Sequence, residues 1–160
     1  MWRRSSAGAA AFTRPADTTA YASNDLVANS TTAGSVTPLV FDAPDGTSWS
    51  QFVAARIEMS DKTTTNAAFD LHLFEISPTV ANGDNGAFSI AAAGAAVGWL
   101  GKVSVTVNGL AGATTGKTGI AAATAIPGSA KARIYGLLVA TAAYTPASAE
   151  VFTVTLYNFG

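Results

Sequence analysis

Cysteine is absent from the chain, and that removes disulfides, thiolate metal sites and cysteine nucleophiles together. Charge is nearly as scarce: Asp, Glu, Lys and Arg make up 12% of the sequence, about half the share of an average soluble domain. The formal net charge of −1 supplies no global field to attract nucleic acid or an anionic membrane. No apolar run approaches the roughly 20 residues of a membrane-spanning helix. A surface this poor in charge suits a protein partly covered by copies of itself or by a larger assembly.

What is present is strand chemistry. In VSVTV (103–107), Val103, Val105 and Val107 share one face while Ser104 and Thr106 share the other. QFVAARIEM predicts a strand with Val53, Ala55, Ile57 and Met59 inward and Arg56 and Glu58 outward. EVFTVTLYNF places Phe152, Val154 and Leu156 on one side. RIYGLLVATA (133–142) is apolar on both faces, which predicts a central strand covered twice. SVTPLVF (35–41), FDLHLFEI (69–76) and a weak run in GIAAATAI (119–126) are further strands, with short extended pieces near Phe12 and Tyr21. PDGTS, SDKTTTN, NGDNG, NGLAGATTGKTG and YTPASAE carry the Gly, Asn, Asp and Pro residues of turns. Only FSIAAAGAAVGW (88–99) has helical character, and Gly94 and Gly98 limit it to a short helix or turn. About eight strands with regular turns predict an all-β, antiparallel β-sandwich of jelly-roll type.

The one histidine, His72, lies in FDLHLFEISPT with Asp70 before it and Glu75 after. On a strand, Asp70, His72, Phe74 and Ile76 share a side, and Glu75 points away. Asp70 and His72 are then roughly 7 Å apart along the strand, which sets no geometry for a catalytic dyad. No second histidine completes a zinc site, and no G-x-S-x-G motif appears. The preferred reading is a strand histidine with no catalytic role.

NGDNG offers one acid, Asp84, for a calcium ion that normally gathers several carboxylates, so a plain turn is preferred. AGATTGKTG (111–119) ends like a phosphate-binding loop, but Ala111 stands where the motif needs glycine and no helix is predicted to follow. Trp2, Trp49, Trp99 and Tyr144 are aromatic candidates for surface stacking; the core or subunit-contact reading is preferred for them.

The start MWRRSSAGAA resembles an export signal only superficially, because its apolar stretch is short and weak. It reads instead as an arm, residues 1–11, preceding a single sandwich domain, residues 12–160. Trp2, Arg3 and Arg4 are its candidate contacts with a partner.

Three blocks carry a family likeness. FTRPADTTAYASNDLVANSTT (12–32), LHLFEISPTVANGDNGAFS (71–89) and YGLLVATAAYTPASAEVFTVTLYNF (135–159) resemble a family of small tailed-bacteriophage structural proteins. The shared pattern runs TRPxDTTAYA, then LHLF-SPT with a GDN turn, then YG-L-AYTP-S-E-F-L; residues 90–134 carry no match. The resemblance implies a virion protein attached to the outer surface of the capsid as a decoration, or cement, protein. Its implied partners are the major capsid protein and further copies of itself, with a homotrimer the simplest match to a local three-fold axis. It implies no enzyme activity and no cofactor, and no membrane or nucleic-acid partner. The competing expectation is a receptor- or glycan-binding module of a fibre, spike or tail tip, using Trp99, Tyr144 and Asp84 with calcium.

Overall fold

The computed structural model describes residues 6–61, 67–91, 97–107, 116–123 and 126–158. They form nine strands and one 3-10 turn, Ala33–Ser35. The strands are β1 (Ser6–Thr13), β2 (Leu26–Val27), β3 (Leu39–Asp42), β4 (Phe52–Met59), β5 (Ala67–Phe74), β6 (Trp99–Val107), β7 (Lys117–Ala122), β8 (Arg133–Ala140) and β9 (Val151–Asn158). One sheet runs β1-β9-β4-β7. The other runs β2-β8-β5-β6, with β3 also on β8.

All pairings are antiparallel: β1 with β9, β2 and β3 with β8, β4 with β7 and β5 with β6 are nested one inside the next, and β4 with β9 and β5 with β8 join these pairs into the two sheets. This is the wrap of a long hairpin rolled into a sandwich, the jelly roll. The expected eight strands become nine because β2 and β3 share one position beside β8. Among the described residues no helix is long and apolar enough to cross a membrane.

The core follows from period-two alternation. Phe69, Leu71 and Leu73 of β5, the three valines of β6, and Phe152, Val154 and Leu156 of β9 meet between the sheets. On β4 the inward set is Phe52, Ala55, Ile57 and Met59. A bulge between Phe52 and Ala54 shifts the register and takes Val53 out of the inward row expected for it.

β8 is covered on both faces, as its apolar composition requires. Leu137 on its outer side joins Leu26, Phe74, Val80 and Val97 in a second cluster, with Phe88 and Ile90 packed against it. Chain from both 76–91 and 97–98 thus lies over the outer face of the five-stranded sheet. The outer face of the four-stranded sheet has no such cover among the described residues: Ala9, Ala11, Ile120 and Ala122 are exposed on it.

The expected arm is only partly an arm. Residues 6–11 belong to β1, whose register with β9 is continuous from Ser6 to Thr13. Gly8 lies so close to Trp49 that an added Cβ would stand 2.7 Å from the indole. Trp2, Arg3 and Arg4 lie outside the described residues.

Candidate functional site

β5 presents Asp70, His72 and Phe74 on the outer face of the five-stranded sheet. The register puts His72 beside Lys102 of β6 and Leu137 of β8. Its ring stands 4.8 Å from that of Phe88 and 6.1 Å from that of Trp99. With Phe74 and Ile90, these rings line a cleft of about 230 Å³. Burial lowers the His72 pKa from its ordinary value; Asp70 opposes that shift and Lys102 reinforces it. The imidazole is therefore neutral at pH 7.

Asp70 does not turn this histidine into a base. One of its carboxylate oxygens accepts from the Lys102 ammonium and the other from the Ser104 hydroxyl. Burial pushes the Asp70 carboxyl up, but these two partners outweigh it and hold the pKa below the usual range. The carboxylate is committed to β6. The imidazole packs against aromatic rings, and its neighbouring acid is committed to Lys102 and Ser104. Glu75 faces away, accepting at 2.6 Å from the Ser129 hydroxyl.

The denser constellation is one that sequence reading did not assemble. The Arg14 guanidinium is fully buried. Its Nε donates to the Tyr21 hydroxyl at 2.9 Å, Nη1 donates to the carbonyls of Asp17 and Ala147, and Nη2 donates to Asp17 Oδ1 and Asp84 Oδ2. The Tyr21 hydroxyl in turn donates to Asp84 Oδ1 at 2.6 Å, and the Ala28 N–H donates to the same oxygen at 2.8 Å. Tyr21 stacks on Tyr144 with ring centroids 5.0 Å apart. Arg14 N–H also donates to the carbonyl of Glu150.

Burial raises the Asp84 carboxyl pKa against the pull of Ala28, Tyr21 and Arg14. The Tyr21 hydroxyl is raised by burial and by its bond to Asp84, so it stays protonated as a donor. The turn chemistry is explained by the same network. Gly83 packs against the Thr31 carbonyl, where a Cβ would collide, and Asn85 takes φ 61°, a left-handed conformation that asparagine tolerates.

Glu150 adjoins this network and is 1% exposed. Among the described residues neither carboxylate oxygen has a well-directed hydrogen-bond partner. Burial pushes its pKa up to about 7, and the nearby Asp61 charge adds to that, while the backbone N–H groups of Asp61 and Ala147 and the Arg14 charge pull it down.

These positions decide several sequence expectations. Asp84 accepts from a cation, a hydroxyl and an N–H; it is a buried anchor rather than a plain turn acid. Tyr144 is 7% exposed and Trp49 is buried, so neither ring is open to a sugar. Trp99 is 50% exposed. Residues 111–115 of AGATTGKTG lie outside the described residues, and Lys117–Ala122 continue as strand β7. A phosphate loop needs a helix there.

Arg14, Asp17 and Tyr21 come from TRPADTTAY, Asp84 from NGDNG, and Tyr144 and Glu150 from AYTPASAE. The three blocks that carry the likeness therefore meet at one place in the fold. Chemically the arrangement clamps chain segments together; it presents no exposed nucleophile. Among the described residues no group of three or more His, Asp or Glu side chains is placed to hold a metal ion. No protein-family model, curated protein or solved structure matches this chain.

Proposed function

We propose that this chain is a tailed-phage virion structural protein, a capsid decoration or cement protein that sits on the outer surface of the head. It binds the major capsid protein and copies of itself, as a homotrimer, and works by contact rather than by catalysis. The observation that carries the reading is the convergence just described. Three sequence blocks separated by tens of residues supply one clamp, as expected when a motif set is a single structural inheritance. Chance likenesses have no reason to meet in space.

The surface properties support the same reading. The outer face of the four-stranded sheet bears Ala9, Ala11, Thr153, Tyr157, Ile120 and Ala122, with one ion pair, Arg56–Glu58, at 3.4 Å. Strand spacing and rise give this face roughly 450 Å² of projected area, against roughly 800 Å² per partner in a stable complex. One such contact is weak. Repetition over a symmetric shell, together with contacts between copies, makes it adhesive.

Densitometry of purified particles tests the reading. A stoichiometry comparable with that of the major capsid protein is expected. A few copies per particle, as at a tail tip, or none, would overturn it.

A further inference from the structure

β1 is an edge strand without a guard. Sheet edges present unpaired N–H and C=O groups, and proteins blunt them with charge, proline, a bulge, shortness or cover. Each of the other edges carries such a device. β7 starts at Lys117, and β6 is bulged between Trp99 and Gly101. β2 is two residues long, and β3 follows Pro38 and ends in the Asp42–Arg133 ion pair. β1 has eight residues, SAGAAAFT, in unbroken register with β9, and none of them is charged or proline.

The register shows which groups are open. Arg14 N–H donates to the Glu150 carbonyl, the next pair of the β1–β9 ladder, so alternate residues back through Phe12, Ala10 and Gly8 bond to β9. Ala7, Ala9, Ala11 and Thr13 therefore turn their N–H and C=O to the free edge. Among the described residues, no hydrogen bond reaches the backbone of Ala9, Ala11 or Thr13. Beside that edge a groove of about 430 Å³ opens between residues 10–13 of β1 and residues 37–40. Its one amide, Asn29, is spent on Ser35 and Thr37, so the edge offers backbone pairing beside apolar surface.

The strand that fits this edge is β1 itself. Run antiparallel against a second copy about a two-fold axis at Ala10, it pairs Ala9 with Ala11 and Ala7 with Thr13 of the other copy. Each open N–H and C=O from 7 to 13 then meets a partner. On the inner side Ala10 meets Ala10, and Phe12 stands opposite Gly8, a large ring across from no side chain. No like charges face each other. The pairing closes at two copies, because the molecule has no second unguarded edge to carry it further.

We infer that two copies of this chain join through β1, edge to edge and antiparallel, making one continuous sheet of their two four-stranded sheets.

Area favours the same occupant. On the adhesive role proposed above, one face of roughly 450 Å² is small against the roughly 800 Å² per partner of a stable complex. Two such faces joined through β1 form one surface of roughly 900 Å². A two-fold contact lies outside a three-fold ring, whose contacts use two different patches of each copy, so it links neighbouring trimers.

The lack of native cysteine makes a direct test possible. Ala10→Cys puts one thiol per chain at the axis, where strand partners of the non-hydrogen-bonded kind stand about 4.5 Å apart at Cα, within disulfide range. Ala9→Cys is the control: its side chain is more exposed, but the two copies of residue 9 lie beyond the roughly 7 Å that a disulfide spans. In a glutathione redox buffer, Ala10→Cys is expected to form a covalent dimer and Ala9→Cys to stay largely monomeric. Adding Ala11→Pro to Ala10→Cys removes an edge-facing N–H, leaves the β9 ladder intact, and is expected to slow the cross-link about tenfold or more. Thermal melts check that each variant is folded. In the unmodified chain, hydrogen exchange at the Ala9, Ala11 and Thr13 amides is expected to slow as concentration rises, while Ala10 and Phe12, already bonded to β9, do not respond. Equal cross-linking of Ala9→Cys and Ala10→Cys, or exchange at Ala9 and Ala11 that ignores concentration up to millimolar chain, overturns the inference. These measurements are made in free solution, so they fail or succeed separately from the particle stoichiometry.

Discussion

Arg14 and Glu150 show how the same burial leads to opposite electrostatic outcomes. The guanidinium is fully enclosed, but Tyr21, Asp17 and Asp84 supply partners for its donors, so its charge is kept. Removing one member of such a set strands a buried charge, at a typical cost of about 3–5 kcal/mol. Glu150 has no partner of that quality, and burial raises its pKa from the ordinary 4.5 to about 7. The folded state therefore holds a proton that the unfolded chain releases. The resulting stabilisation is complete below about pH 4.5, falls as pH rises towards 7, and is gone above it. Its size is about 3 kcal/mol over that window. In urea melts at pH 5 and pH 8, Glu150→Gln is expected to lose that slope, gaining on the wild type by about that amount at pH 8. A wild-type-to-variant difference that is the same at both pH values would refute the assignment.

Among the elements, β1 is the one whose role the residues concealed. SAGAAAFT has small side chains on both faces, so alternation leaves no mark in its hydrophobic pattern. Only the ladder with β9, and the close packing of Gly8 on Trp49, make it a strand. The reading of residues 1–11 as an arm outside the sandwich therefore changes. Deleting residues 1–5 is expected to leave the thermal melt within a few degrees of the full chain. Deleting 1–11 removes most of an edge strand and exposes one side of β9, so the melt should drop by more than 10 °C or the protein should aggregate. Equal melts for the two truncations would contradict the role given to β1.

At the scale of the molecule, the two sheets differ in what covers them. The five-stranded sheet wears its own chain outside, with a second apolar cluster beneath it; the four-stranded sheet has no such cover among the described residues. Ile120, 64% exposed on β7, touches no core cluster, so replacing it affects stability little. Ile120→Lys is expected to shift the melt by no more than a few degrees while lowering occupancy on purified particles severalfold. Full occupancy with the lysine in place would remove this face from the adhesive surface.

The sequence by itself determined the class of fold. Valine alternation in β6, the apolar run of β8 and the turn residues between strands required antiparallel sheets packed face to face, because period-two patterns bury one side only. It also set Asp70 and His72 on one side of their strand and Glu75 on the other, with which the hydrogen bond from Ser129 to Glu75 agrees. Tertiary structure alone decided where Arg14, Tyr21, Asp84, Tyr144 and Glu150 meet, since contacts spanning more than a hundred residues leave no local period to read. It alone placed Trp99 in the open while Trp49 and Tyr144 were buried. A ring's residue type sets how much water it can shed; only the packing of distant strands decides whether it does.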